Sequence, residues 1–221
     1  MGEHLFGFNT DDEWDHENGF YLTSHPTRVA KLLAQYELYK SIVNLPGHVV
    51  ECGVYKGASL IRLAAFRDSI ENQYSRKLVG FDTFGVFPKP DNPTDAEFVE
   101  GFVDEGGEGI PVDELRRVLA RKSYTNVELV KGDILETVPQ YVADRDELKI
   151  ALLHIDVDVY EPTKVILEQM FDRVVTGGVI VLDDYGAVSG ETSAVDEFIQ
   201  GKGLVVEKLP ISHSPPFIRK N

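Results

Sequence analysis

The chain has 221 residues, 43% apolar and 27% charged, which suits one α/β domain that buries most of its apolar surface in a single core. Its formal charge of −15 argues against a nucleic acid or an anionic membrane as partner, because neutralising phosphates takes a basic surface that 22 Lys and Arg against 37 Asp and Glu do not supply. No apolar run approaches the ~20 residues of a membrane helix, Met1 to Trp14 lacks the basic-then-apolar order of a secretion signal, and the single cysteine, Cys52, excludes an internal disulfide, so the expectation is a soluble, cytoplasmic protein.

The amino-terminal stretch is rich in aromatics: Phe6, Phe8, Trp14, Phe20 and Tyr21. These could pack on a second copy of the chain, giving a homo-oligomer, or fold back over the chain's own active site. Thr23 and Ser24 then precede Pro26 and the apolar positions Val29, Leu32, Leu33, Tyr36, Leu38, Tyr39, Ile42 and Val43, a capped amphipathic helix that Pro46-Gly47 stops. Residues 1–47 therefore read as a helical extension. From His48 the pattern changes to short apolar runs at 48–52, 78–81, 127–130, 150–155 and 179–182, read as buried parallel strands. Helical patterns at 58–69, 112–121, 138–143 and 161–174 separate them. Strand–helix alternation predicts a doubly wound, mostly parallel, Rossmann-like α/β sheet in one domain spanning 1–221. A helix near 193–200 and extended stretches at 204–209 and 216–219 complete the chain, predicting an antiparallel carboxy-terminal hairpin and seven strands in all.

Residues 83–111 are rich in Gly, Pro and acidic side chains and show no clear periodicity. Between Asp91 and Glu114 there are nine acidic residues and no basic one. Charge alone says a solvated loop; the length of a structureless connection inside a compact domain says an active-site lid as readily as a surface insertion.

Candidate site residues fall at the carboxyl ends of the expected strands, where an open α/β sheet binds ligands. The loop Glu51-Cys52-Gly53-Val54-Tyr55-Lys56-Gly57-Ala58-Ser59 joins the first of these strands to its helix. Gly53 and Gly57 would let backbone approach a ligand, and Ser59 could cap the helix or meet a carboxylate. The loop matches G-x-G-x-x-G poorly, which counts against a nicotinamide dinucleotide. The next strand ends in Asp82-Thr83, where an acid can accept from both hydroxyls of a ribose. The third ends in Asp133-Ile134, placing an acceptor for an adenine amino group beside an apolar side chain for its ring. Together these describe an adenosine site formed by Glu51, Gly53, Tyr55, Gly57, Ser59, Asp82, Thr83, Asp133 and Ile134. After the fourth and fifth strands stand Asp156 and Asp158, then Asp183-Asp184. Four carboxylates at one edge repel unless protonated or bridged by a cation. All-oxygen ligation selects a hard ion, Mg²⁺ first, then Mn²⁺ or Ca²⁺. The plainer reading is that Asp183 and Asp184 start a turn and Asp158 caps a helix. His154 and Cys52 read as core residues.

On Tyr36-Glu37-Leu38-Tyr39, Val50-Glu51-Cys52-Gly53-Val54-Tyr55-Lys56-Gly57, Gly80-Phe81-Asp82-Thr83-Phe84, His154-Ile155-Asp156-Val157-Asp158-Val159-Tyr160-Glu161 and Leu182-Asp183-Asp184-Tyr185, the sequence resembles the macrocin O-methyltransferase family across most of its length. The resemblance implies a class I methyltransferase fold, S-adenosylmethionine as methyl donor, Mg²⁺, and the hydroxyl of a deoxysugar or glycosylated natural product as acceptor. It further implies Asp156, Asp183 and Asp184 as metal ligands and Asp158 beside the acceptor hydroxyl, with Asp158 or Asp156 taking the proton. Rival readings are a metal-dependent O-methyltransferase acting on catechols or other phenols, and a non-methylating relative on the same fold.

Overall fold

The computed structural model describes residues 2–221. It opens with a small antiparallel hairpin of β1 (His4–Leu5) and β2 (Phe8–Asn9), followed by α1 (Glu13–Thr23) and α2 (Thr27–Lys40). The extension read as helical thus begins with a strand pair. Its turn holds Phe6 and Gly7, both at positive φ, and a bulky first turn residue in place of Asn or Asp hides the signal. No side chain of α1 is buried, and Trp14, Tyr21 and Leu22 are exposed on it.

The alternating part runs β3 (His48–Cys52), α3 (Ala58–Ile70), β4 (Leu78–Asp82), α4 (Pro93–Gly106), α5 (Val112–Arg121), β5 (Val127–Lys131), α6 (Ile134–Ala143), β6 (Ile150–Ile155), α7 (Tyr160–Met170), β7 (Val174–Leu182), α8 (Ser189–Ile199), β8 (Val206–Glu207) and β9 (Phe217–Arg219). The seven-stranded sheet has the order β5-β4-β3-β6-β7-β9-β8. Strands β3 to β7 are parallel to their neighbours, while β9 runs antiparallel to both β7 and β8, which is the expected edge hairpin. The chain winds outward from β3 to β5, then crosses back to β6. The carboxyl ends of β3 and β6 are therefore the switch point at which such sheets form a crevice. Alternate side chains of β3 divide between two cores: Val50 and Cys52 pack with α6, α7 and α8, and Val49 packs with α2, α3 and α5.

Residues 83–111 are not a structureless loop. They carry α4, which starts on Asn92, whose side chain accepts from Thr94 N–H, with Pro93 in the first turn. Its apolar positions Phe98, Val99, Phe102 and Val103 have helical spacing, masked in the sequence by the acidic residues between them. Helix α6 starts four residues before the expected 138, because Asp133 caps it by accepting from Leu135 N–H.

Candidate active site

A cleft of about 430 Å³ opens at the carboxyl ends of β3, β4, β5, β6 and β7. Gly53, Tyr55, Ser59, Asp82, Thr83, Asp133, Ile134, Asp156, Asp158, Asp183 and Asp184 all line it. Glu51 and Gly57 do not. Glu51 is fully buried beneath the floor, and Gly57, at φ 83, caps the start of α3 with its backbone. Ser59 makes no capping bond.

Two residues fix the loop after β3. Gly53 sits at φ 90 directly against the backbone after β6: a methyl group there would overlap the Asp156 carbonyl oxygen and lie 2.6 Å from its carbon. Glycine is needed here because two strand ends touch, whatever ligand binds. Asp82 accepts from Val54 N–H at 2.8 Å and Tyr55 N–H at 2.9 Å through one oxygen, and from Phe84 N–H at 2.5 Å through the other. Its carboxylate joins the β3 and β4 loops into one surface.

The carboxylate cluster forms two overlapping groups. One ligand oxygen from each of Asp156, Asp158 and Asp184 lies within 4.8 Å of the others, and a second group contains His154, Asp156 and Asp183. The groups differ in what already holds them. Asp183 accepts from His154 Nε2 at 3.2 Å through one oxygen and from Lys31 Nζ through the other. His154 Nδ1 lies 3.0 Å from Glu51 Oε1, so a buried Glu51–His154–Asp183 chain runs under the site. Burial opposes charge on His154, yet bonds to Asp183 and Glu51 outweigh it and hold its pKa well above the ordinary value. Burial likewise pushes Asp183 up, but His154 and Lys31 more than offset this and keep it ionised. Lys31, and for Asp156 and Asp184 also His154, pull the other group down too weakly to offset its burial. Burial and then the neighbouring carboxylates push Asp156 well up, Asp158 to about 8 and Asp184 to about 6.

A hard cation fits the Asp156, Asp158 and Asp184 group. Its donors are all oxygen, they repel one another without a counter-charge, and Asp184 Oδ2 is buried with no hydrogen-bond partner in the protein. Asp158 is also strained: it occupies φ 63 at the centre of a three-residue turn closed by Val159 N–H donating to Val157 O at 2.6 Å. It does not cap α7. That cap comes from Asp95 of α4, which is buried and accepts from Tyr160 N–H at 3.0 Å.

Several side chains lining or supporting the site escaped the sequence. Arg28, Lys31 and Gln35 enter the cleft from α2, and Arg62 from α3. Buried Glu191 accepts from Asp184 N–H at 3.1 Å. Asp95, Phe87 and Phe102 show that residues 83–111 form one wall of the cleft, and Phe102 packs on Tyr55 with ring centroids 5.1 Å apart.

A mostly parallel seven-stranded sheet with this switch-point cleft is the Rossmann-like fold of class I methyltransferases. Residues 27–220 match the macrocin-O-methyltransferase (TylF) family, and the chain belongs to that family. It is 27% identical over 158 residues to 8-demethyl-8-(2,3-dimethoxy-alpha-L-rhamnosyl)-tetracenomycin-C 4'-O-methyltransferase of Streptomyces olivaceus, covering 70% of this chain and 58% of that protein. It is also 27% identical over 187 residues to mycinamicin III 3''-O-methyltransferase of Micromonospora griseorubida, covering 80% and 70% respectively. Among solved structures, the calicheamicin methyltransferase CalS11 superposes with a TM-score of 0.76 at 28% identity over 94% of this chain and 85% of its own. Among the described residues, no helix is long and apolar enough to cross a membrane.

Proposed function

We propose that this chain transfers a methyl group from S-adenosylmethionine to a hydroxyl of a deoxysugar or sugar-bearing natural product. The observation that carries the reading is the strained Asp158 grouped with Asp156 and Asp184 in the switch-point cleft. The glycoside O-methyltransferases among its relatives supply the acceptor class.

Asp133 and Ile134 would meet the adenine, Asp82 and Thr83 the ribose, and the Gly53–Ser59 loop the remainder of the donor. The proton of the acceptor hydroxyl passes to Asp158 or Asp156, the oxygen attacks the methyl carbon, and the carbon–sulfur bond breaks to leave S-adenosylhomocysteine. Asp158 suits this task because burial and its neighbours raise its proton affinity toward neutrality. Positioning supplies most of the remaining rate, through the loops that Asp82 and Asp95 tie together. Asp156 and Asp184, completed by Asp158 or Asp183, would hold a hard divalent cation, which when bound acidifies the hydroxyl beside it. The wall formed by residues 83–111 keeps water from the developing alkoxide.

The test is methyl transfer from labelled S-adenosylmethionine to a panel of deoxysugar glycosides, nucleotide-linked deoxysugars and catechols, with Mg²⁺ and with excess chelator. Transfer to a sugar hydroxyl that chelator suppresses is the expected result. Transfer confined to catechols, or none despite donor binding, would overturn it.

A further inference from the structure

Past the last ladder bonds of the sheet, two turns carry the carboxylates, and one residue touches both. Pairing of β7 with β6 ends where Asp183 N–H donates to Ile155 O at 3.0 Å, so Asp184 N–H has no strand partner. Glu191, in the first turn of α8, supplies one: its Oε1 accepts from Asp184 N–H at 3.1 Å. The same residue's own N–H donates to Asp158 O at 3.0 Å. The start of α8 is pressed onto that second turn, since a methyl group on Gly190 would lie 2.6 Å from Asp95 Oδ1, 2.8 Å from Tyr160 N and 2.9 Å from Val159 Cα. A left-handed Asp158 persists only where its surroundings hold it, and the first turn of α8 does so here.

Stability does not explain Glu191. It is fully buried, and its Oε2 has no hydrogen-bond partner in the protein. Burying a carboxyl for one amide bond while its other oxygen goes unpartnered is a net loss, so its use lies in what that bond holds. Glu191 does not line the cleft and belongs to neither group of metal-ligating side chains, so it acts through the two aspartates. We infer that Glu191 is a positioning residue: its side chain fixes the Asp184 turn and its amide the Asp158 turn, so that one helix turn sets the spacing of the two carboxylates. Ligands on separate loops need such a strut, because a working site holds its groups to within about 0.5 Å. The inference rests on the cation reading proposed above.

Three substitutions separate reach from charge. Glu191→Gln keeps an oxygen that can accept from Asp184 N–H and drops the charge, Glu191→Asp keeps the charge one methylene short of that amide, and Glu191→Ala removes both. Mn²⁺ is titrated into the metal-free wild type and each variant, with the free ion counted by electron paramagnetic resonance, and urea unfolding is followed without metal. Glu191→Asp and Glu191→Ala should each weaken Mn²⁺ about 10-fold to 100-fold, the range for losing a support behind a metal ligand, while Glu191→Gln stays within about threefold of the wild type. A residue needed only for folding would lower the urea midpoint in Glu191→Ala and leave Mn²⁺ affinity unchanged, which would overturn the inference. Equal losses in all three variants would overturn it too, because the charge and not the bond would then be what the cation requires. A wild type that binds no Mn²⁺ would sink the cation reading itself, and the inference with it.

Discussion

Gly53→Ala should damage the protein before any ligand is considered. The residue holds φ 90, where a side chain costs about 1–2 kcal/mol by backbone sterics. Its added methyl would also overlap the Asp156 carbonyl oxygen, lie 2.6 Å from the Asp156 carbonyl carbon and 3.2 Å from Val157 Cγ1. The first two contacts are with backbone, so neither yields by a rotamer change, and overpacking of this kind costs about 1–3 kcal/mol. Together the loss is about 2–5 kcal/mol, a large part of the ~5–15 kcal/mol typical of a domain. Urea unfolding reads it as a midpoint lowered by roughly 1–2 M at an ordinary slope. Gly85→Ala is the control: nothing lies within 4 Å of its added methyl, φ is not positive there, and the change should stay within about 0.5 kcal/mol. A Gly53→Ala loss under about 1 kcal/mol would refute the claim that β3 and β6 ends meet at this glycine.

Three further outcomes follow from the same geometry. Asp95→Ala removes the acceptor for Tyr160 N–H, so hydrogen exchange across 93–106 should accelerate and stability fall by about 0.5–2 kcal/mol, as for a lost helix cap; unchanged protection of α4 would show that another contact anchors it. Because Asp158 and Asp184 hold protons up to about pH 8 and about pH 6, Mg²⁺ or Mn²⁺ must expel them, so affinity should rise with pH and calorimetry in two buffers should detect proton release; binding without proton release would remove Asp158 from the ligand group. Asp158→Asn should stabilise the metal-free protein against urea while abolishing methyl transfer. A carboxyl whose pKa is raised on folding costs stability as pH climbs from about 4, its unfolded value, to about 8, so the variant's advantage should grow over that window and then level off; an advantage that shrinks across it would contradict the assignment.

Most of the sheet was legible because parallel strands covered on both faces read as short apolar runs, and each of 48–52, 78–81, 127–130, 150–155 and 179–182 falls within an observed strand. The strand ends then located the cleft, since connectivity fixes the switch point. What stayed hidden has specific causes. Helix α4 lay behind nine acidic residues that spoke for solvent, and the one that matters, Asp95, is buried. Lys31, Gln35 and Arg62 occupy ordinary polar positions on amphipathic helices, and only the packing of α2 on α3 turns them into the cleft. His154 was read as a satisfied core residue. It is satisfied, but by Glu51 and Asp183, which makes it part of the floor of the site.

Elsewhere the fold handles buried charge conservatively. Arg67, fully buried, donates to the carbonyl oxygens of Arg76, Thr125 and Asn126 as well as to Asp68, and Arg76 pairs with Glu71 while donating to the carbonyls of Ile42, Val43, Leu45 and Gly47. Among the described residues, the buried side-chain oxygens left without a partner are Glu51 Oε2, Asp184 Oδ2 and Glu191 Oε2, all behind or at the ends of β3 and β7. The left-handed Asp158 stands at the same place. A chain that satisfies two interior arginines so fully has no stability reason to gather orphaned oxygens, mutually repelling carboxylates and a strained turn at one sheet edge. Such concentration is what a site pre-organised to take a cation and a proton requires, because each defect is relieved only by what binds there.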